Sequence, residues 1–351
     1  MRAIAAVVIA GLLGVAVPVL AFASLVLPSP SGPYAVGRVT HDWTDAARAG
    51  RELKIIVWYP AALSRPTPLS PLVPDGWLPS REPDREWFAR LAQPLAGARV
   101  HATPGAPLSP SPGGYPLLIM PPGLGRLVIE YTTIAEDLAS HGYIVVGVMP
   151  SRRPSGQVKD ELAAWVDDAG FVVNRFERLK GSDVPLGMLA GAFDMQSVGV
   201  FGHSFGGAVA VQACRRDGRF RAGVDIDGYP PSPDGLPPLA QPFMFIWSEA
   251  GEANARSSTA RSDAEAIAVD HGYHILIRGT RHFNFSDHAA FQSSDEVAVG
   301  PIDGRRGLMI TTNYIRAFFD RYLKGADAPL LSGPSPYTEV VRLRLADPVA
   351  P

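Results

Sequence analysis

A single cysteine, Cys214, stands among the 351 residues. One thiol excludes an intramolecular disulfide and any metal site built from several cysteines, so the chain must rely on ordinary packing. Net charge is also scarce: 32 Lys and Arg against 34 Asp and Glu leave a formal charge of −2. Nothing in that balance supplies a global field for nucleic acid. The 35 glycines and 34 prolines follow no repeat, which excludes collagen-like and solenoid architectures. A hydrophobic share of 46% with 15 Phe, 10 Tyr and 6 Trp excludes a disordered chain.

Charge is absent altogether between Arg2 and Arg38, and residues 3–27 read AIAAVVIAGLLGVAVPVLAFASLVL. One positive charge before a long apolar run suits a secretory signal, with Ala21-Phe22-Ala23 as the small-x-small cleavage pattern and Ser24 next. The same run is long enough for an uncleaved anchor, because about 20 apolar residues span a bilayer. Residues 1–28 are therefore expected to be a signal peptide or an N-terminal membrane anchor. Residues 29–351 are then one domain, secreted, periplasmic or held on the outer face of a membrane through residues 3–27.

Beyond residue 28, short strands rich in Val, Ile and aromatics alternate with amphipathic helices, which predicts an α/β fold: a mostly parallel sheet covered on both faces. The predicted strands are Lys54–Tyr59, Pro116–Met120, Tyr143–Met149, Ser197–Phe201, Ala222–Ile226, Phe243–Trp247 and Tyr273–Ile277. Helices are expected at Glu130–Ser140, Lys159–Leu179 and Thr312–Leu323, the last stopping near Gly325. Residues 61–115 break the alternation with Pro66, Pro68, Pro71, Pro74 and Pro79. That stretch reads as a Pro-rich insertion, either a partial cover over the site or a solvated excursion.

The chemistry concentrates at Gly202-His-Ser-Phe-Gly206, a G-x-S-x-G pattern with an apolar strand before it and a small-residue helix start after it. A strand-to-helix elbow needs those glycines, since the serine backbone is strained and the flanking segments approach closely. A serine hydroxyl attacks only when an imidazole takes its proton, and the imidazole needs a carboxylate to fix its tautomer. In this fold class the acid and then the histidine follow later strands. Asp227 directly follows Ala222–Ile226, with Asp225 as a rival expected to face elsewhere. His282 lies just past Tyr273–Ile277, with His288 as its serious competitor and His203, His271 and His274 less well placed. The oxyanion hole requires the N–H after the serine, Phe205, and one from the loop after an earlier strand. Pro121 and Pro122 have no N–H, which leaves Gly123, Leu124 or Gly125, with Leu124 favoured. The same Gly-x-Gly lacks the third glycine of a dinucleotide loop.

Residues from about 32 to 325 resemble the lipoprotein-associated platelet-activating factor acetylhydrolases and their bacterial relatives, within the α/β-hydrolases. The resemblance rests on Gly32-Pro-Tyr-Ala-Val-Gly37, Val57-Trp-Tyr-Pro60, Gly123-Leu-Gly125, Asp137-Leu-Ala-Ser-His-Gly-Tyr-Ile-Val145, Gly202-His-Ser-Phe-Gly-Gly207 and Arg219-Phe-Arg-Ala-Gly223. It extends to His282-Phe-Asn-Phe-Ser-Asp287, which resembles the family's His-x-Asn-Phe-x-Asp segment. The resemblance implies His282 over His288, Asp227 as the acid, and Leu124 and Phe205 as oxyanion donors. Two departures stand out: Pro122 replaces the usual histidine before Gly-Leu-Gly, and Met149-Pro-Ser-Arg-Arg-Pro154 lacks a histidine often found there. The implied activity is hydrolysis of carboxylic esters, on short or oxidised sn-2 acyl groups of phospholipids, with a lipid or small ester as the partner. No metal or organic cofactor is implied. A cutinase-like esterase on small or polymeric esters, acyl transfer to an alcohol, and a catalytically silent membrane-tethered binding module are the rival expectations.

Overall fold

The computed structural model describes residues 25–79, 83–152, 154, 157–228, 238–252, 272–291 and 299–344. Its strands are β1 (Ala35–Asp45), β2 (Arg51–Ala61), β3 (Ser70–Pro71), β4 (Arg99–Val100), β5 (Thr103–Pro104), β6 (Tyr115–Met120), β7 (Ile144–Pro150), β8 (Phe193–His203), β9 (Phe220–Ile226), β10 (Phe243–Ser248), β11 (Gly272–Ile277) and β12 (Val340–Arg344). The longer helices are α1 (Asp84–Ala92), α2 (Thr132–Ser140), α3 (Val158–Glu177), α4 (Phe205–Arg216) and α5 (Gly304–Lys324).

Ten strands form one sheet in the order β12-β11-β10-β9-β8-β6-β7-β2-β1-β5. The pairs from β7 across β6, β8, β9 and β10 to β11 are parallel. Outside them, β12 pairs antiparallel with β11 and β2 antiparallel with β7 and β1, while the short β5 pairs parallel with β1. After β6 the chain moves to β7 on one side, whereas after β8 it moves to β9 on the other. Loops therefore diverge at the carboxyl ends of β6 and β8, the crevice where open α/β sheets place ligands.

Side-chain alternation divides the core between the two faces. Leu118 and Met120 of β6 join Val145 of β7 and Phe201 of β8 on one face, under α2 and α5. Leu117, Ile119, Val146 and Val200 pack on the other, under α3 and α4. Because neither face meets water, these strands read as unbroken apolar runs. The Pro-rich stretch is not a solvated excursion: Leu72, Trp77, Phe88, Leu95 and Val100 are buried in the α2–α5 core, with Trp77 and Phe88 ring to ring at 6.5 Å. Its backbone is held by the two-residue β3–β4 ladder.

Several elements differ from the sequence expectation, among them α1, the short strands β3–β5 and the edge strand β12, none of which was expected. Strand β1 and its turn were not anticipated, because AVGRVTHDWTD mixes polar residues into the run; it pairs with β2 along its whole length. Helix α5 begins at Gly304 instead of near Thr312. Asp303 caps it by accepting the Arg306 N–H at 2.8 Å, and Gly325 ends it at φ 64°. Most of the apolar N-terminal run, residues 1–24, lies outside the described residues. Leu27 is buried and its N–H donates to the Arg99 carbonyl at 3.0 Å. Among the described residues no helix is long and apolar enough to cross a membrane.

Candidate active site

Ser204 occupies the elbow between β8 and α4 with φ 58° and ψ −121°. A non-glycine residue at positive φ is strained and needs surroundings that impose it. Here the neighbouring glycines supply the room. A β-carbon on Gly202 would lie 2.4 Å from the Gly206 carbonyl carbon, and one on Gly206 would lie 2.2 Å from the Pro121 carbonyl oxygen. The Ser204 N–H is anchored to the Ile226 carbonyl at 2.8 Å, which ties the elbow to the end of β9.

The structure brings Asp227 and His282 to this elbow. His282 Nε2 lies 3.0 Å from Ser204 Oγ, and Nδ1 lies 2.7 Å from Asp227 Oδ2. Asp227 is 1% exposed and accepts two further bonds, from the Ser248 N–H at 2.8 Å and the Ser248 hydroxyl at 2.9 Å. Buried carboxylates require such partners. On a continuous strand Asp225 and Asp227 would share a face, but β9 ends at Ile226 and Asp227 sits at φ 51°, which re-aims its carboxylate. Asp225 instead accepts the Gly228 N–H at 2.8 Å and packs where a Gly207 side chain would be. Burial holds its carboxyl well above the usual carboxylate range.

The loop after β6 runs beside the serine: a β-carbon on Gly123 would lie 3.5 Å from Ser204 Cβ. The Gly123 N–H is already committed to the Tyr131 hydroxyl at 3.3 Å. The N–H groups of Leu124 and Phe205 meet no acceptor among the described residues, and both residues remain part-exposed. Two unspent donors next to a serine hydroxyl are what an oxyanion needs.

His288 lies apart from the serine and is held by Glu130 at 2.9 Å. His203 packs behind the elbow, its ring 4.4 Å from that of His282. Burial lowers its pKa well below the ordinary histidine range, so it is neutral. Tyr131, whose hydroxyl accepts from the Gly123 N–H, lies 3.0 Å from His203 Nδ1. His274 is buried within β11 against Phe245, and His271 lies outside the described residues.

Sequence reasoning missed several residues that hold this geometry. Asn284 Oδ1 accepts from Arg281 N–H at 2.6 Å and Gly300 N–H at 2.7 Å, fixing the loop that carries His282. Asp287 accepts the N–H groups of Thr132 at 2.8 Å and Thr133 at 3.2 Å, docking that loop on the start of α2. Ser248 and Tyr131 act across long separations and leave no local pattern; for Ser248 the signal was its place at the end of a strand beside β9. Pro122, the departure from the family pattern, is buried, and Met149 receives the Val128 N–H at 3.5 Å.

Comparison with known proteins identifies the family of the chain. The family model for platelet-activating factor acetylhydrolase, isoform II, matches residues 19–157 and 166–324. A probable 1-alkyl-2-acetylglycerophosphocholine esterase of Arthroderma benhamiae is 27% identical, with 91% of this chain and 94% of that protein covered. The platelet-activating factor acetylhydrolase of Cavia porcellus is 24% identical over 87% of this chain and 80% of its own length. That of Bos taurus is 26% identical over 60% of this chain, and the match spans just 57% of the bovine protein. Among solved structures, a ferulic acid esterase from Streptomyces cinnamoneus superposes with a TM-score of 0.76 at 26% identity, covering 92% of this chain and 100% of that one. The chain has the α/β-hydrolase fold, is a carboxylic ester hydrolase, and belongs to the platelet-activating factor acetylhydrolase, isoform II, family.

Proposed function

We propose that this hydrolase is a serine esterase working through an acyl-enzyme on Ser204. His282 Nε2 takes the Ser204 proton as Oγ attacks the ester carbonyl carbon. Asp227 fixes the imidazole tautomer and balances the cation that forms. The Leu124 and Phe205 N–H groups hold the tetrahedral oxyanion. The C–O bond to the leaving alcohol then breaks, and the alkoxide takes the proton from His282. Water, deprotonated by the same imidazole, releases the carboxylic acid and restores the serine. The observation that carries this reading is the continuous chain from Ser204 Oγ through His282 to Asp227, at 3.0 and 2.7 Å. Ser204→Ala should abolish hydrolysis of p-nitrophenyl acetate while circular dichroism remains that of the folded protein. Undiminished turnover would defeat the assignment.

For substrate, the names of the relatives, an acetylhydrolase and a 1-alkyl-2-acetylglycerophosphocholine esterase, support short acyl groups at the sn-2 position of glycerophospholipids, and oxidised acyl groups extend that reading. The likeness to a ferulic acid esterase favours a second reading, small soluble or polymeric esters outside lipid. A series of phospholipid and p-nitrophenyl esters of increasing chain length separates the two. Good short-ester turnover without phospholipid turnover would favour the second. Export through residues 1–28 belongs to the same proposal, and the mass of the mature N-terminus tests it.

A further inference from the structure

Arg126 follows directly on the Gly123-Leu-Gly125 loop. Its Cγ is 3.4 Å from where a β-carbon of Gly123 would lie, the position that is also 3.5 Å from Ser204 Cβ. The guanidinium sits over the Phe283 ring, 4.1 Å from its centroid. Phe283 in turn stands edge-on to His282 at 5.4 Å. The cation is therefore mounted between the oxyanion loop and the histidine loop. Its field reaches the site, since it acts with burial to lower the pKa of His203.

The guanidinium has a carboxylate neighbour, yet that carboxylate is otherwise engaged. Glu130, 1% exposed, accepts the Leu127 N–H on Oε1 at 2.8 Å and faces His288 Nε2 through Oε2 at 2.9 Å. Arg126 stands 3.7 Å from Oε2, beyond hydrogen-bond reach, and its side chain is about a quarter exposed at 26%. Among the described residues it donates no side-chain hydrogen bond. An aromatic face holds a guanidinium in place without consuming its in-plane donors. What results is a preorganised fork of N–H groups at the rim of the site, without a side-chain hydrogen-bond acceptor among the described residues.

We propose that Arg126 is an anion subsite of this active site, selecting esters that carry a carboxylate or phosphate within a few bonds of the scissile carbonyl. The proposal rests on Ser204 being the nucleophile. Both anions offer the coplanar oxygens that a guanidinium binds in bidentate fashion. A carboxylate would arrive on the acyl chain and a phosphate on the leaving alcohol.

The test compares kcat/KM within matched pairs. The acyl-side pair is the p-nitrophenyl monoester of glutaric acid against p-nitrophenyl butyrate. The leaving-group pair is 1-alkyl-2-acetylglycerol 3-phosphate against 1-alkyl-2-acetylglycerol. In the pair that matches the natural anion, Arg126→Gln should lower the anionic-to-neutral ratio by about tenfold, and Arg126→Lys by less. The pair that responds identifies the source. In the unmodified protein the same ratio should fall as salt rises from about 0.05 to 0.5 M, because screening weakens a part-exposed charge contact; this readout needs no variant to fold. Ratios indifferent to both salt and substitution, or both members of each pair falling equally, would overturn the subsite. Loss of all turnover with retained fluorophosphonate labelling of Ser204 would also count against it. Absent labelling of the unmodified protein would instead indict the nucleophile assignment.

Discussion

Gly206 and Pro121 meet backbone to backbone: the space for a β-carbon on Gly206 is closed by the Pro121 carbonyl oxygen at 2.2 Å. The helix that follows Ser204 and the loop that bears Leu124 thus share one surface, and their spacing would set the proposed oxyanion pocket.

Gly206→Ala should force that surface apart. The expected cost is on the order of 2 kcal/mol in urea unfolding, with kcat/KM for p-nitrophenyl acetate down at least about tenfold as the two donors separate. Wild-type stability and turnover together would show that the contact is slack.

Asp227→Asn preserves shape but presents an amide to His282 Nδ1, so the imidazole loses the tautomer it needs. A fall in kcat on the order of 10⁴ is expected, by analogy with the same change in other Ser-His-Asp hydrolases. Ser248→Ala removes one bond to Asp227 Oδ2 and should cost kcat about tenfold to a hundredfold, since a hydrogen bond to a charged group contributes roughly 1.5–3 kcal/mol. Steady-state kinetics at neutral pH ranks the two; equal effects would contradict the assigned roles.

The candidate site residues were easier to place from sequence than the residues that support them. Ser204, Asp227 and His282 each follow a strand that announces itself as an apolar run, and chain order then restricts the partners. Tyr131 gave no such signal, because it works across 72 residues of chain separation on His203. Asn284 and Asp287 lay inside a motif matched for its histidine, yet their partners at Gly300 and Thr132 become visible only once the loops are folded. The parallel strands were legible because both their faces are buried. Strand β1 was not, since polar Arg38, His41 and Asp42 interrupt it. In the fold Arg38 is accommodated by the Leu72 and Pro71 carbonyls at 3.1 and 2.9 Å, and Asp42 by Lys54 at 2.8 Å.

Tyr131→Phe deletes the hydroxyl that accepts from Gly123 and bonds His203. Without it the oxyanion loop loses a tether beside Ser204. A drop of roughly tenfold in kcat with little change in KM is expected, the pattern for an interaction felt mainly in the transition state. A rise in KM alone would assign Tyr131 to ground-state binding.

Burial pushes the Asp287 carboxyl up to about 8, against the opposing pull of the Thr133 and Thr132 N–H groups. A folded-state pKa above the unfolded value of about 4 means the native state binds the extra proton between those limits. Stability should therefore decline as pH rises from about 4 toward 8. Asp287→Asn, which cannot ionise, should flatten that slope in urea titrations across the window. An unchanged slope would show that the carboxyl is ionised throughout.

The most direct test of the account is covalent. A fluorophosphonate should label the folded protein at one residue, with the adduct mass on the peptide containing Ser204, and His282→Ala should reduce the labelling rate by orders of magnitude. Adduct on another residue, or none on folded protein that still hydrolyses p-nitrophenyl acetate, would contradict it.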